Sequence, residues 1–202
     1  MKLHNLVYLA AAVLLASCSG EAKKVMVMAS GKVAVNGNTV TLEPGTTHNE
    51  VTFDAGEKVT VSSPEGTKDF EVKEPGLYLL NLKKDTIAGS FQKTGTDNSQ
   101  IRITEENLWE RVDSLSQLMK GQNVSPEKRN YSIPPMSIAK ISNNTSAEII
   151  GPHRRLPGSL DPSKEHEVYK FYTNKEIADI ISKVKQNLGG GADSGKAKLK
   201  AN

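Results

Sequence analysis

The residues able to do chemistry in this chain are few. Cys18 is the only cysteine among 202 residues, which excludes a structural disulfide, a CxxC redox pair and a cysteine metal cluster. The four histidines, His4, His48, His153 and His166, include no pair at HxxxH or HExxH spacing. His166 stands between Glu165 and Glu167, but neighbours in an extended strand project to opposite faces, so the expectation is an exposed polar cluster and no metal site. Gly151-Pro152-His153-Arg154-Arg155-Leu156-Pro157-Gly158 is more suggestive. Two adjacent guanidiniums and an imidazole between proline turns have the donors to clamp a carboxylate or phosphate, which makes His153, Arg154 and Arg155 the candidate anion-binding residues. A solvated loop with local ion pairs accounts for the same residues. Neither a GxSxG elbow nor a GxxxxGK[ST] phosphate loop occurs, and Glu105-Glu106 reads as a pair of helix-dipole partners. No catalytic residue and no cofactor is therefore expected, and a non-enzymatic role is favoured.

The elements that must carry these residues change character along the chain. From 24 to 93, short runs rich in Val, Thr, Phe and Leu are punctuated by Gly, Pro, Asn and Asp every eight to twelve residues or so, which is the spacing of an all-β unit. Strands are predicted at 24–29, 32–35, 39–43, 50–53, 58–62, 68–72, 77–82 and 86–92. Val40, Leu42, Val51, Phe53, Val59, Val61, Phe70 and Val72 recur at period two, so each strand can bury one face. The run 77–82 is apolar on both faces and should be central. Pro75-Gly76-Leu77-Tyr78 loosely resembles the proline-glycine-x-tyrosine strand of immunoglobulin-like and transthyretin-like accessory modules of secreted proteins. That resemblance implies architecture and carries no active site.

A polar boundary at 94–103 precedes a helical α+β region, 104–188. Thr104 can cap a helix in which Leu108, Val112, Leu115 and Met119 repeat at helical spacing before Gly121, with Trp109 beside the stripe to dock on the sheet. Residues 122–163 hold six of the nine prolines and two short apolar runs, 136–141 and 147–150, read as extended structure with one hairpin. After a strand at 167–172, Thr173 and Glu176 form a capping box, Tyr172 and Ile177 a staple, and Ile177, Ile180, Ile181, Val184 and Leu188 an apolar face ending at Gly189. The Gly- and Lys-rich tail, 189–202, has too little apolar surface to order itself. The expected fold is α+β: an N-terminal antiparallel β-sandwich, immunoglobulin-like or transthyretin-like, followed by a smaller C-terminal segment with two helices and short strands.

The N-terminus supplies an address. Lys2 gives a positive start, 6–16 is an uninterrupted apolar stretch, and small residues precede Cys18. A spanning helix needs about 20 apolar residues, and this run is too short. Leu15-Ala16-Ser17-Cys18 resembles the lipobox of bacterial lipoproteins. The resemblance implies a signal peptide at 1–17, removed so that the mature chain begins at Cys18 with a thioether to diacylglycerol and an acylated amine, and a lipidated tether at 18–23. Two or three acyl chains, at about 0.8 kcal/mol per buried methylene, anchor a protein effectively permanently. In enteric-type sorting an Asp after the cysteine retains the protein in the inner membrane, so Ser19 points to the outer membrane. It assigns neither the periplasmic nor the outer face.

Composition is compatible with that address. The mature chain has a formal charge of about +2 over 185 residues, which gives no electrostatic reason for a nucleic-acid partner. With 37% hydrophobic and 24% charged residues the composition is globular, and 5% aromatics leave little for a carbohydrate-stacking platform. The sequence thus predicts a membrane-anchored envelope lipoprotein, a binding or assembly component whose partner is an envelope protein or an anionic glycan. The alternatives are a small envelope hydrolase or glycan-binding protein, and an inhibitor or chaperone-like protein that uses its proline-rich segment.

Overall fold

The computed structural model describes residues 22–94, 105–151 and 166–189. Ten strands and two helices follow in the order β1 (Lys23–Asn36), β2 (Thr39–Asp54), β3 (Lys58–Ser63), β4 (Gly66–Glu71), β5 (Gly76–Leu82), β6 (Ile87–Thr94), α1 (Glu105–Met119), β7 (Asn130–Ile133), β8 (Ser137–Ser142), β9 (Glu148–Ile150), β10 (His166–Thr173) and α2 (Asn174–Gly189). The described residues are mostly β with two helices. A six-stranded, nearly closed, barrel-like sheet has the order β4-β3-β2-β1-β5-β8, and a four-stranded sheet has the order β7-β6-β10-β9.

The six-stranded sheet is mixed, which corrects the antiparallel expectation. Its cause lies in the long β1–β2 hairpin. Pairing runs from Asn36↔Thr39 to Lys24↔Asp54, but between Ser30↔His48 and Gly31↔Pro44 the residues Gly45, Thr46 and Thr47 have no partner. Gly31 sits at φ 123°, and a Cβ there would lie 2.1 Å from the Glu43 carbonyl oxygen, so only glycine permits the approach. What the sequence reads as four short strands is therefore two long ones with a coiled corner. Beyond the corner the hairpin curls until its tip meets its base: Gly56 N–H donates to Asn38 Oδ1 at 2.8 Å, and Thr60 N–H to the Asn38 carbonyl at 2.9 Å. The first half of β2 thereby lies beside β3 and runs parallel to it. The wrap of β2 to β4 then acts as the long crossover that lets β5 pair parallel with β1.

Burial follows from this arrangement. Val25, Val27 and Ala29 of β1 and Tyr78, Leu80 and Leu82 of β5 face the barrel interior, where Val40, Leu42, Val59, Val61, Phe70 and Val72 meet them. The opposite faces, Met26, Met28, Leu77 and Leu79, pack on Ile87, Tyr131, Ile133, Tyr169 and Phe171 of the second sheet. Every residue of β5 is buried, as its two apolar faces predict. On the outer side of the second sheet Leu118, Ile177 and Ile181 of the helices cover Ala88. The capping box forms: Glu176 N–H donates to Thr173 Oγ1 at 3.2 Å and Thr173 N–H to Glu176 Oε2 at 2.7 Å. Tyr172 and Ile177 pack in the same cluster. The cap Thr104 and the Trp109 side chain lie outside the described residues.

The two sheets draw on both halves of the chain. β6 belongs to the second sheet, while β8 pairs with β5 and completes the first. The apolar runs at 136–141 and 147–150 become β8 and β9 and stand in different sheets, while the one hairpin expected in this stretch is the turn between Ser125 and Asn130. β7, hidden in the proline-rich stretch, pairs with β6 from Ile87↔Ile133 to Ser90↔Asn130.

Candidate functional site: a cleft where two sheets part

The chain leaves the second sheet at Ile133, passes Pro134-Pro135, which cannot continue a ladder, and enters the first sheet at Ser137. Met136 makes the change of direction at φ 52°, with its N–H donating to the Asn81 carbonyl at 2.8 Å. Because β7 and β8 diverge from this point, a cleft of about 730 Å³ opens between them. Val124, Arg129, Tyr131, Ser142, Asn144, Glu167 and Tyr169 are among its lining residues.

A hydrogen-bond network forms its floor. Glu167 Oε1 accepts from Tyr169 Oη at 2.5 Å and from Ser142 Oγ at 2.8 Å, and Tyr131 Oη donates to the Ile141 carbonyl at 2.6 Å. The Tyr131 and Tyr169 rings meet edge to face at 6.0 Å. Burial pushes the Glu167 carboxyl up, but hydrogen bonds from Tyr169, Ser142 and Asn144 and the charge of Arg129 outweigh it and hold the group below its ordinary range. Burial, then the hydrogen bond to the Glu167 carboxylate, drives the Tyr169 phenol far above its ordinary value. Tyr131 is raised by burial as well, with Glu167 adding to the effect and Arg129 opposing it. At neutral pH the floor is a carboxylate held by neutral hydroxyls. A proton-transfer catalyst needs the opposite, a group poised near the working pH.

The lip of the cleft is a tight hairpin. Ser125 and Asn130 exchange backbone hydrogen bonds of 3.0 and 2.9 Å, and Arg129 N–H donates to the Pro126 carbonyl at 3.0 Å. Such a turn ends on a left-handed residue, usually glycine or asparagine, yet Arg129 occupies it at φ 56°. Its guanidinium carbon lies 4.5 Å from the Phe91 ring centroid. Arg129 is exposed, and no carboxylate of the described residues lies within ion-pair distance of it. Val124, on the same lip, is 42% exposed.

Other reactive types are engaged elsewhere. Ser137 and Lys140 have the SxxK spacing of some acyl-transfer enzymes, but Ser137 Oγ donates to the Pro134 carbonyl and Lys140 Nζ to Glu74. Lys83, only 7% exposed, is pushed below its ordinary range by burial, against the opposing charges of Glu176, Glu50 and Asp85. His48 Nε2 lies 2.7 Å from Glu50 Oε1. Among the described residues no three His, Cys, Asp or Glu side chains are grouped to hold a metal ion.

Of the residues singled out in the sequence, Cys18, His153, Arg154, Arg155 and Glu165 lie outside the described residues. His166 opens β10, and its neighbour Glu167 enters the cleft floor. Arg129, Tyr131 and Tyr169 carry no sequence motif. The one available signal was local: Glu167 and Tyr169 share a face of a strand predicted as alternating, which sets a carboxylate beside a phenol. The chain matches no known protein family, no curated protein and no solved structure.

Proposed function

We propose that this protein is a lipid-anchored component of the bacterial cell envelope, tethered through Cys18 to the outer membrane, which binds its partner without transforming it. The β7–β8 cleft is the binding surface in this reading, and the partner is an envelope protein or an anionic glycan. One observation carries the choice of binding over catalysis. The cleft's carboxylate is held below its ordinary range by donors from Tyr169, Ser142 and Asn144, while the exposed cation Arg129 sits in a backbone conformation that costs an arginine about 1 kcal/mol. Strain kept at a cleft lip supports a role for that side chain outside the fold. As architecture, we propose that the facing of β1, β5 and β8 against the second sheet corresponds to the sandwich of an immunoglobulin-like or transthyretin-like module.

A photo-crosslinking amino acid at Asn143 in the cleft and at Lys175, the exposed start of α2, tests the reading in intact cells. A discrete adduct from position 143 that is missing from position 175 is expected. Equal adducts from both, or none from 143, would overturn the cleft as the binding surface.

A further inference from the structure

The fold has two poles, and the cleft lies at the one where the tether attaches. Ala22, the last described residue before β1, accepts the Gly76 N–H at 3.1 Å and lines a groove that shares Lys140 and Asn143 with the cleft. Ser142 pairs with Leu77 at this pole and reaches Glu167 at the start of β10. From His166 to Thr173, β10 then carries the chain about 24 Å away, so α2 begins at the far pole.

Chain length fixes how far the near pole can stand from a bilayer. Five Cα steps separate Cys18 from Lys23, a reach of roughly 17 Å when fully extended. A headgroup layer takes up about 5–8 Å of that, leaving the near pole roughly 10 Å above the lipid at most. Lys140 and Lys73 at this pole are paired with Glu74 and Glu71. Arg129 has no carboxylate within ion-pair distance among the described residues, and near it on the cleft lip stands Val124, the one large apolar side chain exposed among them. A guanidinium that stacks on Phe91 and acts on Glu167 only at longer range keeps donors free for a further anion. Beside an exposed aliphatic group it suits a bilayer interface, with the planar fork on a phosphate and the apolar group among the glycerol esters.

We propose that the 123–130 lip rests on the membrane, with Arg129 bound to a lipid headgroup phosphate and Val124 inserted at the interface, so that the cleft opens along the membrane plane. The inference depends on the lipid anchor proposed above. Its test uses the full lipidated protein in vesicles of phosphatidylethanolamine with a minority of phosphatidylglycerol and a headgroup-linked nitroxide lipid. A fluorophore is attached through Glu127→Cys on the lip or Lys175→Cys at the far pole. Strong quenching at 127 and little at 175 is expected. Arg129→Gln with Val124→Ser should reduce the quenching at 127 several-fold while circular dichroism shows the fold retained and the melting temperature falls only by the small amount that loss of the Phe91 contact accounts for. Mass spectrometry of the same preparation separates the two ideas. An unmodified Cys18 removes the anchor and the inference with it, whereas a lipidated protein quenched equally at 127 and 175, or unaffected by the double substitution, overturns the membrane-resting lip alone.

Discussion

Asn81 holds together the point from which the cleft opens, and its replacement should cost more than an ordinary core substitution. The side chain is fully buried near the end of β5. Nδ2 donates to the Asp85 and Ile133 carbonyls, both at 2.9 Å, and Oδ1 accepts the Lys83 N–H at 2.9 Å. The amide thus ties the β5–β6 turn to the last residue of β7, just before the chain changes sheet. Asn81→Ala strands the Ile133 carbonyl and the Lys83 N–H away from water, while the less buried Asp85 carbonyl can rehydrate. Two orphaned buried groups at about 1–3 kcal/mol each give a loss of roughly 2–6 kcal/mol, a large share of the 5–15 kcal/mol typical of a domain. Asn81→Asp sharpens the test, because it keeps the acceptor for Lys83 but sets a charged oxygen against two carbonyls. Burial and repulsion raise the folded pKa of this carboxyl above the unfolded value of about 3.9. The folded state then binds the extra proton between those two pKa values, so stability falls as pH rises through that window. Urea unfolding of the variant and the wild type at about pH 4 and pH 7 should show the penalty growing toward neutrality. A penalty for Asn81→Ala below about 1 kcal/mol, or one for Asn81→Asp that does not change with pH, would refute this account of the hinge.

Arg129→Ala should be about 1 kcal/mol less stable than Arg129→Gly in thermal unfolding, since both lose the Phe91 contact and only alanine keeps the left-handed strain; equal stability would remove the argument from strain. Thr173→Ala should cost about 1 kcal/mol by removing the Oγ1 acceptor at the start of α2, and an unchanged unfolding midpoint would mean that the capping box contributes nothing. Replacing Arg154 and Arg155 together with alanine should weaken capture of an anionic partner more than tenfold, about 1.4 kcal/mol, with little change in melting temperature; unaltered capture would leave these arginines no part in binding.

The sequence was most readable where the physics is local. Period-two burial of Val40, Leu42, Val59 and Val61, the two-sided burial of 77–82 and the Thr173–Glu176 box depend on residues a few positions apart, and all three form. The coiled corner was not readable, because Ser30-Gly31 and Pro44-Gly45 look like turns until the register shows that they face each other across one hairpin. Mixed pairing follows from that curl and could not be inferred without it. β7 was missed because its four residues precede Pro134-Pro135 in a stretch that reads as loop. The cleft was illegible for a related reason. Its network joins Ser142 to Glu167 across 25 residues and two sheets, and spacing along the chain carries no trace of such a pairing.

The central claim is that this is an anchored binding protein, and the anchor admits the most direct measurement. Intact-mass analysis of the mature protein extracted from bacterial membranes should find the chain beginning at Cys18, with a diacylglyceryl thioether and an acylated amine, and Cys18→Ser should leave the precursor unprocessed. An unmodified N-terminus at or beyond Ser19 in the wild-type protein would contradict the account.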